Sequence, residues 1–281
     1  MSYSVLMSVY AKDNPLFFDA AIQSMMNQSL KTDDFVIVCD GQLTDNLNEI
    51  LKRYTKEYPN LFNIVVLEKN QGLGIALATG LLKCKNSLVA RMDADDISLP
   101  NRCEMQVNYL ENNPSIDIVG GQIIEFLSDT KKIVSSRIVK TKHEDILKIA
   151  KKKSPMNHVT VMFKKEAVLN SGNYQHLQYN EDYYLWTRML MQGCKFSNID
   201  EILVYVRING ETFLRKRGMK YFKAQKKIFT YLKNEHFITF PRYCCNIFIR
   251  FVSSILPNKV RTFLFMKLMR KKEKGSLNIC I

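Results

Sequence analysis

Short apolar runs rich in Val and Ile alternate along the chain with stretches in which apolar residues recur at helical spacing. This alternation is typical of βαβ units and of a mostly parallel sheet. It predicts four strands in the first hundred residues, at 4–9, 35–39, 64–67 and 88–92. The helices between them are predicted over residues 15–28, along an apolar stripe that begins at Leu47, and over residues 72–82. The last helix is rich in Gly and Ala, so we expect it to pack closely on the sheet.

The pattern is weaker after residue 100. It predicts helices near 102–111 and 181–192, a helix and exposed loop over 140–153, and strands at 116–119, 159–163 and 202–208. The region 123–139 is predicted to lie at an edge of the sheet, and the order of these later strands is not predicted. A basic helix that begins near Arg215 is expected to run toward Asn234.

Two acidic residues follow strands of the predicted sheet. Asp40 comes after the second strand, and Asp93 comes directly after the fourth. Open α/β sheets bind ligands in the crevice at the carboxyl ends of their strands, so we expect both carboxylates to face one crevice.

Asp93 opens the run Asp93-Ala94-Asp95-Asp96, which suits a diphosphate. A divalent hard cation held by carboxylates neutralises the charge of a leaving nucleoside diphosphate. Asp93 and Asp95 alternate in an extended segment, so both could reach one ligand through different atoms. A solvated acidic turn explains the same acids equally well, so this run alone does not assign a function.

Several further motifs accompany the acidic run in a fixed order and spacing. They are SVLMSVY at 4–10, DG at 40–41, NQGLG at 70–74, ARMDADD at 90–96, LPNR at 99–102, NHVTVMF at 157–163 and EDYYLW at 181–186. The set resembles glycosyltransferase family 2 over residues 2–210, and most of all its bacterial surface and capsular polysaccharide enzymes. The ordered set is far more specific than any one motif.

The resemblance implies a GT-A fold, which is a Rossmann-like α/β sheet flanked by helices, here with an amphipathic helical extension at the C-terminus. It implies a catalytic domain over 1–212, in which 1–100 bind the nucleotide sugar and 101–212 the acceptor, followed by a basic region over 213–281. It also implies an inverting enzyme that uses a nucleoside diphosphate sugar, most commonly a UDP-sugar, together with Mn²⁺ or Mg²⁺.

The resemblance also assigns roles on the donor side. Val9 and Tyr10 match residues that lie against the nucleobase, and Asp40 matches an acid that accepts from the base NH. Asp93 matches the acid near the ribose, and Asp95 matches the metal ligand.

Asn70 and Arg91 lie within the matched motifs and are further donor-side candidates. Arg91 would reach a phosphate or pair with the neighbouring acids. Asp40 is followed by Gly41, whereas Asp-Asp is commoner in the family.

Asp182 matches the catalytic base of the family, which would take the proton of the acceptor hydroxyl. Glu181 beside it would raise its pKa by like-charge repulsion or bind acceptor hydroxyls. The pair also suits a helix start, where the dipole favours acids, and both roles can hold together. His158 and Trp186 are acceptor-side candidates, although His158 fits a structural role and Trp186 fits a helix interior as well as a sugar face. The Gln-x-x-Arg-Trp motif of processive members does not follow Trp186, which favours transfer of a single sugar.

Positive charge concentrates near the C-terminus. The chain has a net charge of +14, and residues 241–281 contribute nine Lys and Arg against one acid, a net charge of +8. Two apolar stripes accompany this charge: Ile247, Phe248, Phe251, Val252 and Ile255, and, after Pro257, Val260, Phe263, Leu264 and Leu268. Basic helices with an apolar face suit an anionic bilayer surface, so we expect a lipid-linked acceptor presented at the membrane. Packing of these helices on the catalytic domain is the alternative.

The composition, with 46% hydrophobic and 24% charged residues, is that of an ordinary globular protein. Seven cysteines without a CxxC pair are expected to be reduced. No secretory segment is recognised, and the apolar stretch 243–256 is too short to span a membrane and contains Asn246 and Arg250. We therefore expect a cytoplasmic protein at the inner face of the plasma membrane.

Other functions explain less of the sequence. A nicotinamide-dependent oxidoreductase would account for the α/β pattern, but the glycines at 72 and 74 follow the third strand and lack the third glycine of the fingerprint. A sugar nucleotidyltransferase needs a Gly-rich N-terminal loop, and residues 1–40 contain no glycine. A nucleic-acid-binding module leaves the acidic run unexplained, so no nucleic acid partner is expected. A degenerate glycosyltransferase that only binds nucleotide sugars stays open, although Asp95 and Asp182 are present.

Overall fold

The computed structural model describes residues 1–127, 130, 132–208 and 218–256. Its first part consists of β1 (Tyr3–Val9), α1 (Pro15–Met26), β2 (Asp34–Cys39), α2 (Asp45–Glu57), β3 (Phe62–Val66), α3 (Leu73–Lys83) and β4 (Leu88–Met92). Every strand and helix predicted for this part is present, with ends that differ by a few residues. Asn14 explains where α1 begins, because its side chain accepts from the backbone N–H of Leu16 at 2.9 Å and Pro15 follows it.

The second part departs further from the predictions. Its elements are β5 (Ile97–Ser98), α4 (Arg102–Asn112), β6 (Ile118–Phe126), β7 (Ile133–Arg137), α5 (His143–Ala150), a 3₁₀ turn (His158–Thr160), β8 (Met162–Lys164), α6 (Lys165–Asn170), α7 (Glu181–Met191), β9 (Phe196–Arg207), α8 (Gly218–Asn234) and α9 (Phe240–Ile255). The strand predicted over 159–163 is largely replaced by the 3₁₀ turn. The edge prediction is wrong for β6, which pairs with β7, β8 and β9 inside the sheet.

One sheet runs through the molecule in the order β3-β2-β1-β4-β8-β6-β9-β5, and β7 adds to β6. The strands β1 to β4 are parallel, as predicted, and β6 and β9 are parallel to each other. The other pairings are antiparallel, so the sheet is mixed. Because β1, β2 and β4 run in one direction, their carboxyl ends meet at one edge, which is where Val9, Asp40 and Asp93 lie.

Helices cover both faces of the sheet. Val5 and Met7 of β1 belong to the apolar cluster that includes α1, α2 and α4, whereas Leu6 belongs to the cluster that includes α3, α5 and α7. The close packing expected of α3 is present at Gly80, where an added Cβ would lie 2.5 Å from the side chains of Leu6 and Val38. This close approach packs α3 directly on β1 and β2.

The helices α8 and α9 pack beside α7 through a third apolar cluster, which includes Tyr183, Phe229 and Ile238. None of the described helices is long and apolar enough to cross a membrane. The predicted boundary at residue 212, the basic residues from Arg215 to 217, and the second apolar stripe after Pro257 lie outside the described residues.

Candidate active site

Asp40 fixes the turn that precedes α3. Its Oδ1 accepts from the backbone N–H of Gln71 at 2.7 Å, and its Oδ2 accepts from that of Gly72 at 2.9 Å. The exposed Asn70 donates from Nδ2 to the Asp40 carbonyl at 3.3 Å. Gly41 has φ +87°, and a Cβ there would lie 2.6 Å from the Asn70 nitrogen, so this turn requires glycine. Both Asp40 oxygens thus accept backbone hydrogen bonds, and its predicted contact with a nucleobase stays a prediction.

At the end of β1, Val9 is buried in the core and Tyr10 is exposed. The Tyr10 backbone N–H donates to Asp13 Oδ2 at 2.9 Å. Burial, together with repulsion from Asp95 and Asp93, raises the pKa of Asp13 to about 7. Asp13 therefore joins the acids at this edge. Asp13 is not among the site residues predicted from the sequence.

Arg91 and Asp93 form an ion pair at the end of β4. Arg91 donates from Nη1 to Asp93 Oδ2 at 2.6 Å and from Nη2 to Asp93 Oδ1. The Arg91 side chain is 2% exposed and that of Asp93 is 34% exposed. Of the two roles considered for Arg91, the structure shows the pairing with an acid, which fixes the orientation of the Asp93 carboxylate.

Arg102 supports the end of β4 from the protein interior. Its buried guanidinium donates from Nη2 to the Arg91 carbonyl at 2.7 Å and from Nε to Gln106 Oε1 at 3.0 Å. Gln106 in turn donates to the Thr160 carbonyl at 2.7 Å. The motif residue Arg102 therefore connects α4, β4 and the 3₁₀ turn.

Asp95 is the exposed acid of the cluster, and Asp96 is buried. The backbone N–H of Arg207 donates to Asp96 Oδ1 at 2.8 Å, and Arg207 Nε donates to the Asp95 carbonyl at 3.1 Å. Burial and repulsion from Asp95 and Asp93 raise the pKa of Asp96 well above its usual value. Within the described residues, no three or more His, Cys, Asp or Glu side chains are grouped so as to hold a metal. One exposed carboxylate fits a hard cation that takes its other ligands from phosphate and water.

Asp182 and Glu181 begin α7. Ser154 Oγ donates to Asp182 Oδ2 at 2.9 Å. Burial, together with repulsion from Asp182, raises the pKa of Glu181 to about 7. A Cβ on Gly74 would lie 3.0 Å from Glu181 Cγ, so α3 and α7 approach closely here. The start of α7 thereby lies next to the turn that Asp40 holds.

His158, Tyr174 and Trp186 form an aromatic cluster behind these acids. His158 Nε2 is 3.0 Å from the Tyr174 hydroxyl, and its ring meets Trp186 edge-on with centroids 5.7 Å apart. Burial and the charge of Arg91 lower the pKa of His158 well below its usual value. The role of Trp186 as a sugar platform is corrected, because its ring is 0% exposed and has no face for a ligand.

Tyr174 is a residue that sequence reasoning missed. Burial raises the pKa of its hydroxyl, and the charges of Arg91, Asp93 and Asp182 also act on it. Tyr174 therefore lies within electrostatic range of both the donor-side acids and Asp182.

A family model described as glycosyl transferase family 2 matches residues 4–171. The match covers more than half of the chain. The chain belongs to glycosyltransferase family 2. The protein is therefore a glycosyltransferase, and the oxidoreductase and nucleotidyltransferase alternatives are set aside.

Relatives within the family include bacterial polysaccharide enzymes. The chain is 36% identical to the amylovoran biosynthesis glycosyltransferase AmsE of Erwinia amylovora, over 94% of this chain and 98% of AmsE. It is 34% identical to the UDP-Gal:alpha-D-GlcNAc-diphosphoundecaprenol beta-1,3-galactosyltransferase of Escherichia coli, over 96% of this chain and 97% of that enzyme.

Solved structures of glycosyltransferases share the fold. Mannosyltransferase PcManGT from Pyrobaculum calidifontis, in complex with GDP-Man and Mn²⁺, superposes with a TM-score of 0.57 at 15% identity, covering 95% of this chain and 79% of that chain. The GT-A fold expected from the sequence is thus confirmed.

Proposed function

We propose that the protein transfers one sugar, with inversion, from a nucleoside diphosphate donor to a lipid-linked saccharide in the synthesis of a bacterial surface polysaccharide. The proposal rests on a contact between the two halves of the site: the start of α7, where Glu181 and Asp182 lie, approaches Gly74 of α3 within 3.0 Å of an added Cβ, next to the turn that Asp40 holds. Direct displacement at an anomeric carbon requires the donor site and the acceptor-side base to lie close together.

The relatives support the substrate classes. The name of the Escherichia coli enzyme gives UDP-Gal as donor and a GlcNAc-diphosphoundecaprenol as acceptor. On this basis a UDP-sugar and a sugar linked through diphosphate to a polyprenol are the substrates we propose. AmsE acts in amylovoran biosynthesis, which supports a role in polysaccharide synthesis.

On the donor side, Asp95 is the residue that we expect to hold Mn²⁺ or Mg²⁺. A bound divalent ion would neutralise the charge of the departing diphosphate. Arg91 orients the Asp93 carboxylate through two hydrogen bonds, which suits the proposed contact with the ribose. The mannosyltransferase with a similar fold binds GDP-Man and Mn²⁺, which supports this class of site.

On the acceptor side, Asp182 would remove the proton of the attacking hydroxyl. Ser154 occupies Oδ2 of Asp182 by donating to it, so the other oxygen is the one we expect to meet the acceptor. Near neutral pH, Glu181 is partly protonated, because its pKa is about 7. The electrostatic repulsion between Glu181 and Asp182 is therefore weaker than it would be between two full charges.

The described C-terminal helix supports a membrane contact. Phe240, Phe248 and Ile255 of α9 are 66%, 68% and 61% exposed, and at spacings of eight and seven residues they share one face. The opposite face, which meets the protein, is mixed: the buried Asn246 donates from Nδ2 to the Lys151 carbonyl at 3.0 Å, and Tyr243 and Ile247 pack on the third apolar cluster. The helix therefore exposes an apolar face, whereas an ordinary surface helix exposes a polar one. We propose that α9 docks on the cytoplasmic face of the plasma membrane.

If α9 docks on the membrane, replacing its exposed apolar residues should weaken binding to vesicles. Replacing Phe240, Phe248 and Ile255 together with Ser should weaken binding to phosphatidylglycerol-containing vesicles by about tenfold or more, since each apolar side chain withdrawn from water contributes about 1.5–3 kcal/mol. Co-sedimentation of the intact protein measures this. The matched control replaces Leu16, Val66 and Leu82, equally exposed apolar residues of the first half, with Ser. Equal binding of both variants would refute docking through α9.

Nucleotide binding tests the donor site. We expect one nucleoside diphosphate of a panel to raise the melting temperature by about 5 °C at saturating concentration, and to do so only with Mn²⁺ or Mg²⁺. Asp95→Ala should abolish the shift, whereas Asp45→Ala, an exposed acid at the start of α2, should leave it unchanged. Stabilisation of the wild type that needs no metal and survives in Asp95→Ala would contradict the assigned role of Asp95. A protein that binds nucleotide but never transfers sugar would be a degenerate binder.

A further inference from the structure

Side chains from three other elements hold the segment at the end of α5 by hydrogen bonds. Side chains donate to its carbonyls: Tyr183 Oη to Ala150 at 2.6 Å, Asn246 Nδ2 to Lys151 at 3.0 Å, Arg250 Nη2 to Lys152 at 2.9 Å and Arg137 Nη2 to Ser154 at 3.3 Å. The donors come from α7, α9 and β7. These bonds turn the backbone carbonyls toward the protein and hold the segment in one conformation.

Lys151, Lys152 and Lys153, here called the lysine run, occupy this segment. Cations near a helix C-terminus commonly offset its dipole. Here Tyr183, Asn246, Arg250 and Arg137 already donate to the carbonyls at and after the end of α5. Three lysines are therefore not needed to offset the dipole of this helix. Lys151 and Lys152 are exposed, and within the described residues neither forms an ion pair with a carboxylate.

The lysine run lies between the proposed base and the proposed membrane surface. Ser154 follows it directly and donates to Asp182 at 2.9 Å. On its other side, Asn246 and Arg250 belong to α9, whose apolar face is exposed. Two or three residues of extended chain span at most about 7–10 Å, which is comparable to the length of one sugar ring with its glycosidic bonds.

We propose that the lysine run binds the diphosphate of the lipid-linked acceptor. This inference rests on the proposed function, because it assumes that Asp182 activates the acceptor. The polyprenol would enter from the bilayer beside α9, its diphosphate would lie against the ammonium groups, and its first sugar would reach Asp182. Lysine suits this task because its ammonium is a compact charge that binds phosphate oxygens.

Binding without turnover tests the site. The intact protein is titrated with phosphatidylcholine vesicles that carry either GlcNAc-diphosphoundecaprenol, undecaprenol, or phosphatidylglycerol at the same charge density as the diphosphate lipid. We expect Lys151→Gln/Lys152→Gln/Lys153→Gln to lose about tenfold or more of its affinity for the diphosphate vesicles. Its affinity for the phosphatidylglycerol vesicles should fall much less. The triple Arg variant, which keeps the charge, should bind the diphosphate vesicles as the wild type does.

The control variant replaces Lys52, Lys56 and Lys83, exposed lysines of α2 and α3, with Gln and should bind all vesicles normally. Undiminished affinity of the lysine-run variant for diphosphate vesicles would overturn the proposal, and so would an equal loss for phosphatidylglycerol vesicles, which would assign the lysines to general surface attraction. The same preparations are tested for nucleotide-dependent thermal stabilisation. If the wild type shows none, the proposed function fails independently of the vesicle result.

Discussion

Asp182→Asn is expected to lower the turnover number for sugar transfer by about a thousandfold, within the range that general bases contribute. Asn is close in size to Asp and can still accept from Ser154 Oγ, so the local structure should persist. It cannot take a proton from the acceptor hydroxyl. Transfer is measured with a synthetic lipid-linked acceptor, and donor binding is measured by thermal shift on the same protein, where no change is expected.

Ser154→Ala gives the matched comparison at the same contact. It removes the donor to Asp182 Oδ2 but leaves the carboxylate, so we expect a loss of about tenfold in turnover, consistent with one charge-assisted hydrogen bond. If Asp182→Asn retained more than a tenth of wild-type turnover, another group would have to be the base. Glu181→Gln would then be the next variant to examine.

Arg102→Met is expected to lower the free energy of unfolding by about 3 kcal/mol. The side chain is fully buried and donates to the Arg91 carbonyl and to Gln106, so Met of similar length would leave these acceptors without their partner. Denaturant unfolding measures the loss. We also expect weaker metal-dependent nucleotide binding, because Arg102 supports the strand end from which Asp93 projects.

Arg53→Met is the control for that substitution. Arg53 is half exposed and pairs with Asp19 on the surface, so the expected loss is below about 1 kcal/mol. Equal losses for the two variants would show that the buried network contributes no more to stability than a surface ion pair.

The parallel half of the fold was predictable because its signals are local. Each of β1 to β4 is a short apolar run, and parallel strands necessarily bring Asp40 and Asp93 to one edge. The later strands were harder, since antiparallel and parallel pairings alternate there. An apolar run of four to nine residues does not reveal whether a strand lies inside the sheet, as β6 does, or at its border.

The missed site residues share a physical reason: distant contacts position them. Tyr174 lies in a loop without periodicity, beside Asn173, which has φ 57° and donates to the Ala78 carbonyl at 3.0 Å. Asp13 precedes α1 in the sequence, and only the fold brings it near Asp95. Trp186 belongs to a helix buried on nearly every side, so its spacing could not show which face is solvated.

The orientation of α9 also could not be predicted from the sequence. Periodicity predicted one apolar stripe but not the direction in which it faces. That direction depends on Asn246 and Arg250, whose hydrogen bonds to the end of α5 hold the opposite face inward. Exposure of Phe248 is a result of tertiary contacts and could not be deduced from the stripe alone.

The proposed reaction is tested most directly by analysis of the product after the intact protein is incubated with a panel of nucleotide sugars, Mn²⁺ and GlcNAc-diphosphoundecaprenol in vesicles. We expect mass spectrometry to detect the acceptor lengthened by a single sugar from one donor, NMR to show inverted anomeric configuration, and Asp182→Asn to form almost no product. Retention of configuration, or no lengthened acceptor from any donor while the protein still binds nucleotide, would contradict the proposed reaction.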